Sequence, residues 1–133
     1  MRTNSYKIMN KYTPLILSIL LLASEGAPAA EHWVAVHLPE SVDSESIQVE
    51  PSGLRRAKIK QDCHHGNKCE SIIRVELFDC QRREFTIESV ETHQTDGTTN
   101  REETPPGTPS PPNLALDGDP IFDYVCAWKN PSG

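Results

Sequence analysis

Four cysteines, Cys63, Cys69, Cys80 and Cys126, lie in a chain of 133 residues that opens with an export pattern. Together these features constrain the fold most. About a hundred residues remain after the export segment, enough for one small domain with a marginal core. An exported chain meets an oxidising compartment, so two disulfides are expected, with three pairings open. Cys63 and Cys69 bracket the short polar loop His64-His-Gly-Asn-Lys68, which leaves Cys80 with Cys126. Those two are 46 positions apart. Closing so long a loop contributes about 4 kcal/mol in the chain-entropy model.

The export pattern has three parts. Arg2, Lys7 and Lys11 give a positive start, Pro14 to Ala23 is an apolar run, and Gly26 to Ala30 are small residues with one proline. This order is that of a secretory signal peptide over residues 1–29, with the cut after Ala29 and a single domain over 30–133. The apolar run is about half the roughly 20 residues that span a bilayer, so no membrane span is expected after cleavage. The expected location is the periplasm, the cell surface or the medium. The segment removed holds three basic residues and Glu25, which takes the formal charge from −6 to −8. Such a chain does not favour nucleic acid or anionic lipid.

Strand signals dominate the rest. His32 to Leu38 is rich in residues that suit a pleated surface and ends at Pro39. Short runs follow at Ser46 to Glu50 and Leu54 to Gln61. Ser71 to Asp79 is the strongest strand, with Ile73, Val75 and Leu77 on one face and Ile72, Phe78 and Cys80 on the other. Arg83 to Glu91 comes next. Asp96-Gly97 then signals a hairpin turn into a polar edge strand, Thr98 to Glu103. Consecutive strands of this kind favour an antiparallel meander. Residues 104–113 hold five prolines and read as an exposed loop. Asp119 can cap a helix and Pro120 suits its first turn. Ile121, Tyr124, Val125 and Trp128 recur at helical spacing, and Cys126 lies among them.

Four short motifs occur in order: the Trp33 strand; Val42-Asp43 with Ser46-Ile47; Phe78-Asp79-Cys80 followed by Arg82 and Arg83; and Val125-Cys126. Over residues 32–127 the chain resembles the bacterial surface-adhesin protein E-like domain family. The resemblance implies an antiparallel sheet of about six strands with a C-terminal helix tied to it by the Cys80–Cys126 bond. It also implies a protein partner, because the founding member is similar to an adhesin of host matrix and serum proteins. A dimer is implied in the same way. Open sheets have pairing edges, and the Trp33 strand, with fewer charges than Thr98 to Glu103, is the expected homodimer contact.

Two constellations are candidates for binding. Cys63, His64, His65 and Cys69 are soft metal ligands, but their spacing is not that of a common zinc knuckle and oxidised cysteines are not thiolates. Arg56, Lys58 and Lys60 share one strand face and form a stripe that can meet a polyanion, or pair with Glu76 or Glu88 across the sheet. No nucleophile elbow, phosphate loop or metallohydrolase motif occurs, and no cofactor is implied. The expected protein is therefore α+β, mostly β: a meander of about six strands with a short C-terminal helix disulfide-tied to it. The expected function is an exported non-catalytic binding module of the bacterial envelope, with a host or envelope protein as partner. The second reading is a small periplasmic metal-handling or redox-sensing protein that uses the Cys63–Cys69 loop.

Overall fold

Two strands of eleven residues each form the middle of the sheet. The computed structural model describes residues 30–105 and 112–131. The expected export signal, 1–29, and residues 106–111 of the Pro-rich loop lie outside the described residues. The strands are β1 (Trp33–His37), β2 (Glu40–Asp43), β3 (Gln48–Val49), β4 (Arg55–Asp62), β5 (Cys69–Asp79), β6 (Glu84–Gln94), β7 (Thr99–Glu103) and β8 (Asn113–Leu114). One helix, α1 (Pro120–Ala127), follows them. All pairings are antiparallel, in the order β1-β2-β4-β5-β6-β7. β3 adds to β4 and β8 adds to β6. The sheet is thus the expected antiparallel meander of about six strands, but β2 enters its path unexpected, and β3, in the stretch expected as a full strand, is with β8 a short addition.

Turn chemistry sets the register. The Cys63–Cys69 loop joins β4 to β5, and its disulfide closes the loop at its mouth, with Cα atoms 5.8 Å apart. The Asp79 carboxylate accepts the amides of Gln81 and Arg82 in the next turn. Gly97 takes φ +85° in the last turn, beside Asp96, whose carboxylate accepts the Thr98 amide and hydroxyl. Glycine suits that left-handed position because it lacks a Cβ.

Cross-strand partners share a face. On one face lie Val42, Ala57, Ile59 and Phe78, all buried. Ile121, Phe122 and Val125 of α1 pack onto them, with Ile47, to complete the core. The Phe78 and Phe122 rings meet edge to face at 5.8 Å. Asp119 accepts the Phe122 amide as the expected cap. The Cys80–Cys126 bond then ties α1 to the end of β5. Arg55 donates to the Val125 and Trp128 carbonyls, at 2.8 and 2.6 Å. It satisfies orphan acceptors at the helix end.

Three boundaries differ from expectation. The helix stops at Ala127, and Trp128 is its extended C-cap. Phe122, outside the expected apolar set, is its most buried aromatic, at 2% exposure. The stretch expected as a strand at 46–50 is split. Asp43 caps a one-turn 3-10 helix at Ser44–Ser46 by accepting the Glu45 amide, and only Gln48–Val49 is extended. The Pro-rich loop was expected to reach Asn113, but Asn113 already belongs to β8 and faces Phe85.

Candidate functional site

The sheet is covered by α1 on one side. Its other face carries Ile73, Val75 and Leu77 in the middle strand, all half-buried. Lys60, Lys58 and Arg56 stand opposite them on β4, and Glu91, Ser89 and Thr86 on β6. Among the described residues α1 is the one α-helix, and the 3-10 turn at Ser44–Ser46 only borders this face, where Glu45 and Ser46 line a hollow with Arg56, Lys58 and Val75.

The basic stripe is on that face, as expected, but its charges are engaged. Arg56 pairs with Glu50, and holds Glu88 through two nitrogens at 2.6 and 3.0 Å. The ladder between β5 and β6 skips Glu88. The hydrogen bond to Arg56 holds the Glu88 carboxyl below the usual glutamate range. Lys58 lies 3.4 Å from Glu31, and the Lys60 ammonium sits 5.1 Å over the Trp33 ring. The pairing with Glu88 is present. Glu76 does not take part: Ala57 stands opposite it, so it belongs to the helix-side face.

The cysteine loop carries His64 and His65, both exposed. Its sulfurs are joined to each other. Neither is then a thiolate, which removes two of the four expected metal ligands. Among the described residues no group of three or more His, Cys, Asp or Glu is arranged to hold a metal ion.

A site that the sequence reading missed lies on the helix-side face. A cleft of about 260 Å³ opens between the sheet, β8 and the start of α1. Phe78, Phe85, Ile87, Ile121 and Phe122 form its apolar lining, and Glu40, Arg74, Glu76 and Asp119 its charged part. Arg74 is the hub of the charged part. Its guanidinium donates to Glu76 at 2.7 Å, to Glu40 at 2.8 Å and to Gln61 at 2.9 Å. Glu76 is 4% exposed. Burial raises its pKa above the usual glutamate range, against the pull of Arg74, and the nearby Glu40 and Asp119 charges raise it further. Strand alternation alone puts Arg74, Glu76 and Phe78 on one face, and that signal was available in the sequence.

Among the described residues no helix is long and apolar enough to cross a membrane. Comparison of the chain with family models, with curated proteins and with solved structures gives no match.

Proposed function

We propose that the chain is an exported, non-catalytic binding module that offers the sheet face not covered by α1 to a protein of the host surface or the bacterial envelope. The observation that carries this reading is the row Ile73, Val75 and Leu77, half-buried at the centre of a sheet face that α1 leaves open. A central apolar strip with a polar rim is the anatomy of a protein interface. The engaged charges of Arg56 and Lys60 leave less free charge for a polyanion. Two disulfides and the signal-like residues 1–29 support export, and the resemblance to the surface-adhesin protein E-like family supports a protein ligand.

The test is solid-phase binding of residues 30–133 to host matrix and serum glycoproteins and to isolated envelope proteins. Val75→Glu is expected to weaken capture at least tenfold, about 1.4 kcal/mol. Thr99→Glu, with the same charge change on β7, is expected to leave capture unchanged. Absence of saturable capture, or capture indifferent to Val75→Glu, rejects the reading.

The same proposal includes a homodimer through the β1 edge. β1 ends the strand order, and Trp33 to Val36 are uncharged, whereas β7 at the other end carries Arg101, Glu102 and Glu103. Charged edges discourage pairing. Light scattering in physiological salt is expected to give twice the monomer mass. A monomer mass at high micromolar concentration rejects the dimer.

A further inference from the structure

We propose that the cleft between the sheet and α1 is a binding site for a small organic cation: a primary ammonium carried on a short apolar arm.

The charge balance comes first. Among the described residues lining the cleft, Arg74 is the one cation, against the three carboxylates of Glu40, Glu76 and Asp119. Arg74 divides its donors between Glu76, Glu40 and Gln61. One positive charge held by two carboxylates leaves a negative excess. That excess sits beside Phe78 and Ile121, 1% and 6% exposed, where water screens poorly and charges interact more strongly than in bulk water. A buried carboxylate is costly unless its charge is met. A ligand ammonium would meet the part that Arg74 leaves unbalanced. An anion would meet the excess with the wrong sign, and a neutral ligand would leave it unchanged.

Shape gives the rest of the ligand. Ile87 stands across from Glu76 on the neighbouring strand, and Phe85 across from Phe78. The charged and apolar parts of the cleft are thus successive positions on two paired strands. Phe122 closes the apolar part from the helix side, with its ring centroid 5.8 Å from that of Phe78. An ammonium near Glu76 would place an arm of one ring or a few methylenes over Phe85 and Ile87. Aromatic faces also attract cations: the Phe122 ring already meets the Arg83 guanidinium, 4.8 Å from its centroid and paired outside the cleft lining with Asp123, which leaves Phe85 to add to the same preference. The volume of about 260 Å³ is at the small end for ligand sites, so the arm is short. Glu40 and Asp119 also border an adjoining hollow lined by Leu116. Leu116 is 79% exposed.

The cleft lies on the opposite side of the sheet from the proposed protein-binding face, so either site can fail without the other. The probe is 2-phenylethylammonium, titrated into residues 30–133 and followed by amide NMR shifts and calorimetry. The matched controls are 2-phenylethanol, neutral, and 3-phenylpropanoate, anionic. The expected result is saturable binding of the ammonium, with shifts at Glu76, Phe85, Ile87 and Phe122. The alcohol should bind at least tenfold more weakly, and the carboxylate should not saturate. Glu76→Gln and, separately, Glu40→Gln should each weaken the ammonium at least tenfold while leaving the alcohol unchanged. The Glu40 variant, at a more exposed position, keeps the test open if the Glu76 variant does not fold. Equal affinity for ammonium and alcohol, shifts outside the cleft, or binding untouched by either variant overturns the proposal.

Discussion

Cys126→Ser is expected to destabilise the protein far more than Cys69→Ser. The two bonds close loops of different length, with sequence separations of 46 and 6. The chain-entropy model assigns the long loop about 4 kcal/mol and the short one about 2–3. Packing widens the gap. The short bond only closes a hairpin mouth, while the long one holds α1, which supplies Ile121, Phe122 and Val125 to the core. Eight-residue helices do not persist alone in water, so a released α1 would fray and uncover Phe78. Urea melts of the two variants check this. Equal shifts in midpoint would mean that α1 is held by its side chains and not by the sulfur bridge.

Arg74→Ala is expected to cost about 3 kcal/mol at neutral pH, near the lower end of the range for breaking a buried ion pair. The lower end applies because the Arg74 side chain keeps 20% exposure while that of Glu76 keeps 5%. The pH dependence carries the sharper signature. The folded pKa of Glu76 lies above its ordinary value of 4.5, so the folded state favours the protonated acid. Its contribution to stability is full below the ordinary value and is lost as pH rises through the folded one. Without Arg74 the folded value moves higher and the loss extends to higher pH. The penalty of Arg74→Ala should therefore be small near pH 4 and grow toward pH 8. Adding Glu76→Gln should remove most of that slope. Denaturant titrations of the three variants at the two pH values check this, and a penalty equal at both ends would rule out an uncompensated Glu76 charge as its cause.

Much of the fold was legible because its cues are local. The alternation in Ser71 to Asp79, the Asp96-Gly97 turn and the Asp119-Pro120 helix start each act over a few residues, and each formed where expected. The even cysteine count gave the number of bonds, and the short loop between Cys63 and Cys69 gave the pairing. What was missed depends on partners distant in sequence. β2 follows Pro39 directly and is only four residues long, so its pattern is too brief to read before β4 pairs with it. Phe122 is buried by its approach to Phe78, 44 positions earlier, which no helical period reports. The basic stripe was visible, but its engagement by Glu50, Glu88, Glu31 and Trp33 was only partly so, because the Glu88 contact goes with a skipped position in the ladder. The cleft needed Glu40, Arg74 and Asp119 together, from β2, β5 and the cap of α1.

Every strand of the sheet precedes α1 in the chain, and this order has a consequence for biogenesis. As a nascent polypeptide advances from its N-terminus, neighbouring hairpins can pair first, because their contacts are close in sequence. The apolar face of Val42, Ile59 and Phe78 then waits for its lid. During that interval the intermediate is an unfinished half-sandwich, sticky on the side that later becomes the core. The Cys80–Cys126 bridge, whose two thiols pass two electrons and two protons to an external oxidant as they join, cannot form until the lid segment has emerged, so the bridge records completion: a molecule carrying it has already brought both ends of its core together.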